Sequence, residues 1–232
     1  MSVHNPKKDA DQKAANRRKL LEAGYRLFTG KTIDGVSLEM VAKEAGIGVA
    51  TLYRYFGSKT DLAIAVSVWK WQEYLEQIRH RTDVERQDLT GAENFTVYLN
   101  SFLNLYREHR DLLRYNQFFN VYLQHAGADK GRMAPYEQVI GGFADLFRAI
   151  WEKGAEDGTL RTEIPWQQAF SATLHMMLAA VTRYAVGLAY QPEGGSEPEE
   201  ELAMLRDMML RQYSTDTSSA LRATSPQGED SA

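Results

Sequence analysis

The sequence predicts an all-α protein of about nine helices, arranged as a small N-terminal unit and a larger C-terminal one. Apolar residues recur at spacings of three and four along most of the 232 residues, the mark of helices that bury one face. No run alternates β-branched and polar residues as a half-buried strand would. The periodic segments are also separated by glycine- and proline-bearing breaks, the punctuation that stops helices.

The elements follow in order. Residues 1–14 are polar and basic and read as a flexible arm. Leu20, Leu21, Gly24, Leu27 and Phe28 mark one face of a first helix, which fades at Thr29-Gly30. Ser37 sits where an N-cap belongs, its hydroxyl placed to accept an orphan amide of the next turn. Leu38, Val41, Ala42 and Ala45 then share one side of a second helix over 37–45. Gly46 ends it where a left-handed residue costs glycine nothing, and Ile47 plugs the turn. Residues 48–56 form a third helix with Leu52 and Phe56 inward, and residues 58–81 a longer fourth, begun by Ser58 as N-cap with Asp61 at N3. A polar break from Asp83 to Gly91 follows. Further helices are expected at about 93–109, 110–126, 132–157, 165–190 and 199–213, with stops at Gly127-Ala128-Asp129, Gly158 and Gln191 to Gly195. Residues 214–232 are rich in Ser and Thr and lack periodicity, the composition of a disordered tail. The domain reading is an arm (1–14), a first domain (15–62), a second (63–213) and a tail (214–232).

Composition removes several classes. There are no cysteines, so disulfides and thiolate metal sites are out, and a reducing compartment is the natural fit. No apolar run approaches the ~18 residues of a membrane span, and the start has no apolar segment of a secretory signal; the cytoplasm is expected. Enzyme motifs are missing too. The residues three before His80, His109, His125 and His175 are Gln77, Tyr106, Tyr122 and Ala172, so no Glu-x-x-His pair can build a di-metal carboxylate site. His-Glu-x-x-His and Gly-x-Ser-x-Gly are absent. Gly57-Ser58-Lys59-Thr60 lacks the glycine before lysine and the preceding strand of a phosphate-binding loop. No metal, no cofactor and no catalytic residue is expected.

Charge is unevenly spread. Residues 1–60 hold 11 Lys/Arg against 6 Asp/Glu, a net +5, while the remainder holds 16 against 25, a net −9. A basic end on an acidic body directs the N-terminal part to a polyanion. The motif agrees. Residues 37–62 read SLEMVAKEAGIGVATLYRYFGSKTDL, a helix-turn-helix layout in which the second helix enters a DNA major groove. Ser37, Val41, Ala42, Ala45, Gly46, Ile47, Thr51, Leu52, Tyr53, Tyr55, Phe56, Ser58, Lys59 and Leu62 follow one pattern without a gap. That pattern resembles the DNA-binding domain of the tetracycline-repressor (TetR) family of bacterial transcription regulators, over about residues 17–65. One departure stands out: the family often has glycine and an aromatic before the helix-turn-helix, and here Thr32 and Ile33 stand there.

The resemblance implies residue roles. Ser37, Thr51, Tyr53, Tyr55 and Lys59 would contact phosphates and set the register. Gly48, Val49, Ala50 and Arg54 would occupy the exposed start and outer face of the recognition helix. Val49 and Ala50 can meet thymine methyls, and Arg54 can bridge guanine O6 and N7; a phosphate contact is the other reading of Arg54, and packing on the first helix that of Tyr53. The basic residues 7–19 form either an arm along the DNA backbone or a solvated tail.

In the body, aromatics line up at helical spacing. The resemblance implies an effector pocket, for which Phe102, Tyr106, Tyr115, Asn116, Phe119, Tyr122, Phe143, Phe147, Trp151, His175 and Tyr184 are the candidates; for each, plain core is the alternative. Residues 171–188 are apolar almost all round, and Leu202, Leu205, Met208 and Met209 form a stripe on the last helix. Leu178, Val181, Leu202, Leu205 and Met209 are therefore the expected homodimer interface, with internal packing as the alternative. A two-fold dimer implies a palindromic operator on double-stranded DNA. The expected function is a repressor released from that operator by a small-molecule effector, with residues 58–81 as the lever; a DNA-binding protein of this fold without effector switching is the alternative.

Overall fold

The structure, a computed structural model, describes residues 6–82 and 89–216. Among these, nine helices run in order: α1 (Pro6–Lys31), α2 (Leu38–Ala45), α3 (Val49–Tyr55), α4 (Lys59–Arg81), α5 (Gly91–Glu108), α6 (Arg110–Ala126), α7 (Lys130–Glu156), α8 (Trp166–Val186) and α9 (Pro198–Tyr213). The only pairing of strand type among the described residues is one antiparallel bridge between Leu160 and Ser214. The all-α reading therefore holds.

Three boundaries differ from expectation. Residues 6–14, read as a flexible arm, are the first turns of α1; proline is accommodated at a first helical position, and the alanines, lysines and glutamine that follow favour helix. Helix α8 stops at Val186 rather than near residue 190, because Gly187 adopts φ 110, a conformation that ends the helix and suits glycine alone. Part of the expected tail is ordered: Thr215 donates its backbone N–H to Thr159 O at 3.0 Å and its hydroxyl to Gly158 O at 2.8 Å. Residues 1–5, 83–88 and 217–232 lie outside the described residues.

The described chain groups into two compact units, residues 6–72 with 114–139, and residues 73–82, 89–113 and 140–216. This differs from a division at residue 62, because the first unit also takes the start of α4 beyond the helix-turn-helix and most of α6. The reason is in the packing. Tyr115 is fully buried, donates to Ala63 O at 2.6 Å and sets its ring 5.5 Å from Tyr25. Phe119 stacks on Tyr115 and meets Tyr136 at 5.3 Å. Helix α1 packs on α4 at Gly24, where a Cβ would make ordinary van der Waals contact with Val66 and Leu62 at 3.4–3.6 Å.

The core of the second unit is aromatic. Phe147 meets Phe95 and Tyr98 edge to face and stacks on Trp151, and Tyr213 closes on Trp151 at 5.3 Å and on Phe95 at 5.9 Å. Such pairs add about 0.5–1.5 kcal/mol each beyond their area. Helix α5 is capped twice over: Thr90 and Glu93 form a capping box, and Asp157 accepts from Gly91 N–H at 2.7 Å. Burial works against the Asp157 carboxylate. The Thr159 hydroxyl, the Gly91 and Thr159 N–H groups and the Lys153 charge nonetheless hold its pKa below the ordinary value.

Candidate nucleic-acid interface

The reading surface is built by α2, α3 and the first turn of α4. Ser37, in extended backbone, caps α2 by accepting from Met40 N–H at 3.3 Å. Leu38, Val41 and Ala42 bury the inner face. Gly46 takes the left-handed conformation at φ 65, and Ile47 N–H returns to Ala42 O at 2.9 Å, so the turn closes on itself. Helix α3 then anchors through Leu52 and Phe56, both buried. Seven residues is short for a helix, and it stands through this anchorage rather than through its own propensity.

Gly48, Val49, Ala50, Tyr53 and Arg54 are exposed, and Thr51 and Tyr55 are half-buried. Tyr53 keeps 48% of its surface, so about half of its side chain remains accessible at the groove. Ser37, Met40 and Tyr53 line a shallow groove with Val36, Ser58 and Lys59, about 520 Å³ in volume. Ser58 caps α4 as expected: its hydroxyl donates to Asp61 Oδ2 at 2.7 Å and accepts from Asp61 N–H at 3.2 Å.

Lys59 differs from expectation. Its ammonium is not free at the mouth of the groove but donates to Asp34 O at 3.3 Å and Val36 O at 3.2 Å. Loop carbonyls outside a helix ladder need donors, and Lys59 supplies two, leaving one N–H for any further partner. The loop it holds also resolves the departure at residues 32 and 33. Thr32 occupies the left-handed region at φ 66, the conformation glycine would take there, and Ile33 is buried in the apolar role.

The candidates in the body do not gather in one unit. Tyr115, Asn116, Phe119 and Tyr122 are buried in the first, whereas Phe102, Tyr106, Phe143, Phe147 and Trp151 are buried in the second. Phe147 and Trp151 belong to the aromatic core. Tyr184 is half-buried, bonds Glu201, and sets its ring 6.3 Å from Tyr106. His175 is exposed, its nearest polar partner being Ser171 Oγ at 3.4 Å. Sequence reasoning missed Tyr98 as a polar feature: its hydroxyl is fully buried without a partner among the described residues, as is that of Thr173. Burial raises the Tyr98 pKa well above the usual phenol range. Its place on an apolar line with Phe102 disguised it as plain core.

The interface candidates also divide. Val181, Leu202 and Met209 are buried within the chain, and Leu178 and Leu205 are half-buried. The stripe on α8 that faces inward runs through Ala169, Thr173, Met177 and Val181. The large apolar residues left exposed on α8 and α9 are instead Met176, Val186, Met204 and Met208. No group of three or more metal-ligating side chains is placed for a metal among the described residues, and none of their helices is long and apolar enough to cross a membrane.

Fold and surface together define a helix-turn-helix DNA-binding protein with a helical body. Residues 20–66 match the family model described as bacterial regulatory proteins, tetR family. The chain is 29% identical over 137 residues to the HTH-type transcriptional regulator SAB2452 of Staphylococcus aureus (strain bovine RF122 / ET3-1), covering 58% of this chain and 68% of that one. Its fold is similar to that of the fatty acid degradation regulator FadR from Bacillus halodurans, with a TM-score of 0.65 at 16% identity over 90% of this chain and 97% of that one. FadR from Bacillus subtilis, solved in complex with stearoyl-CoA, gives a TM-score of 0.64 at 15% identity over 83% and 97% of the two chains. The protein thus has the fold of a TetR-family transcriptional regulator.

Proposed function

We propose that the protein is a homodimeric repressor that binds a palindromic operator and releases it when a small molecule occupies the body. The observation that carries this reading is the exposed face of α3, held rigid from beneath by Leu52 and Phe56 while Val49, Ala50 and Arg54 stay free of the fold. Val49 and Ala50 present methyl groups to thymine, and Arg54 presents two parallel donors to guanine. Ser37, Thr51, Tyr53, Tyr55 and Lys59 fix register on phosphates. The dimer would form on Met176 and Val186 of α8 with Met204 and Met208 of α9, since these large apolar side chains are left exposed by the described residues.

An effector reading draws support from the second unit, whose buried polar residues are all uncharged. Such an interior suits an apolar ligand with a neutral hydrogen-bonding group, which the Tyr98 and Thr173 hydroxyls could partner. A protein of similar fold was solved with stearoyl-CoA, whose acyl chain, though not its charged nucleotide head, is a moiety of that kind. Release requires the ligand to favour the non-binding dimer; typical couplings of about 1–3 kcal/mol shift the balance, and near-complete switching needs roughly 5.5.

The test is fluorescence anisotropy of the full-length protein on DNA from upstream of its own gene, beside scrambled DNA, at two salt concentrations. A preference of about 10³ or more with steep salt dependence is expected for a specific regulator. Equal binding to both, and no enriched sequence after selection from a random pool, refutes it. Arg54→Ala should then relax preference at one base position, with the phosphate contribution to the salt slope retained.

A further inference from the structure

We propose that Tyr122, on a helix outside the helix-turn-helix, is a positioning residue for DNA binding that acts through Lys59. Both ends of this side chain are attached to the first turn of α4. The face of its ring lies 5.6 Å from Lys59 Nζ, within cation–π range, and its hydroxyl shares a 2.9 Å hydrogen bond with Thr60 Oγ1. Tyr122 and Thr60 are both buried, which shields their hydrogen bond from water, while Lys59 is half-buried. One turn further along α4, Tyr115 repeats the grip by donating to Ala63 O at 2.6 Å.

The contacts continue without a gap to the reading surface. Lys59 donates to the carbonyls of Asp34 and Val36, and Ser37, the next residue, caps α2. Tyr122 therefore fixes the ammonium, the ammonium fixes the loop, and the loop fixes the helix start that faces the groove. A lysine side chain on its own samples many rotamers, and ordering it at the moment of binding costs affinity. The ring of Tyr122 keeps Lys59 in place beforehand and leaves its remaining N–H for a phosphate. This rests on the reading of residues 37–59 as the DNA surface.

The experiment measures full-length protein against the tightest DNA recovered from a random-sequence selection, across a salt series, with circular dichroism checking that each variant is folded. Tyr122→Leu should weaken specific binding about three- to fivefold, in line with loss of a cation–π contact to a half-buried ammonium. It should also bring the salt slope down towards that of Lys59→Met, which is expected to fall by about one. Tyr122→Phe keeps the ring and should retain most of both. In the Lys59→Met background, Tyr122→Leu should add less than about twofold, because coupled residues are not additive. If Tyr122→Leu does not fold, Tyr122→Met keeps the volume without an aromatic face and carries the same expectation. Wild-type affinity and slope in a folded Leu or Met variant overturns the proposal, as do losses that simply add to those of Lys59→Met. A wild-type protein with no sequence preference overturns the underlying reading and this proposal with it, and is told apart by the wild-type data alone.

Discussion

Replacing Gly154 by alanine probes the end of α7, where Leu160 packs on Gly154 beside the crossing with α5. A Cβ at Gly154 would stand 2.4 Å from Cγ and Cδ1 of Leu160, and one at Gly91 would stand 2.2 Å from Gly154 Cα. Carbon atoms in contact prefer about 3.5–4.0 Å, so the segments must part by about an ångström. The bonds from Gly91 N–H to Asp157 at 2.7 Å and from Ala92 N–H to Thr159 Oγ1 at 3.0 Å lie at this same crossing. Losing them costs about 1–3 kcal/mol each, and overpacking a further 1–3. We expect a total near 3–5 kcal/mol after relaxation, a large part of the roughly 5–15 kcal/mol that a domain has. Gly141, in the same helix, has open space where its Cβ would go. Gly141→Ala therefore brings only the helix-propensity gain of about 1 kcal/mol. Urea denaturation should move the midpoint down for Gly154→Ala and up for Gly141→Ala, with m unchanged. Equal midpoints for the two variants would refute the packing argument.

Three other outcomes follow from the same geometry. Thr32→Gly should stabilise the protein by up to about 1 kcal/mol, because a left-handed β-branched residue costs about 1–2 and glycine's extra unfolded entropy offsets part of that; a lower melting temperature would contradict it. Asp157→Ala should cost about 1 kcal/mol at neutral pH as a lost cap. The folded carboxyl is depressed, so its contribution is present above the ordinary carboxylate pKa of about 3.9 and fades as pH falls through the lower folded value. The gap between the two proteins should therefore close in melting curves taken below about pH 4, and a gap that persists there would rule out the carboxylate as its source. Met204→Glu with Met208→Glu should shift sedimentation from dimer to monomer without lowering the melting temperature of the monomer, since both side chains are exposed in the single chain; an unchanged dimer would place the interface elsewhere.

Helix number, order and most boundaries were legible in the amino-acid sequence, because periodicity and caps are local. Ser37, Gly46 and Ser58 act within a few residues of themselves, and α3 exposes Val49, Ala50 and Arg54 because Leu52 and Phe56 are the only large apolar anchors in its span. The same locality made the turn at Thr32 and Ile33 readable as a departure, although only the backbone shows that threonine takes the glycine conformation. Which side of an apolar helix faces inward is a different kind of question. Helix α9 buries Leu202 and Met209 yet exposes Met208, a choice made by the neighbouring helices and not by hydrophobicity. Tertiary structure likewise decided that Tyr115 and Tyr122 pack with the DNA-binding helices, that Lys59 answers two loop carbonyls, and that Tyr98 is buried without a partner among the described residues. Each of these depends on which residues distant in the chain become neighbours, and sequence periodicity reports the face of a helix but not what lies against it.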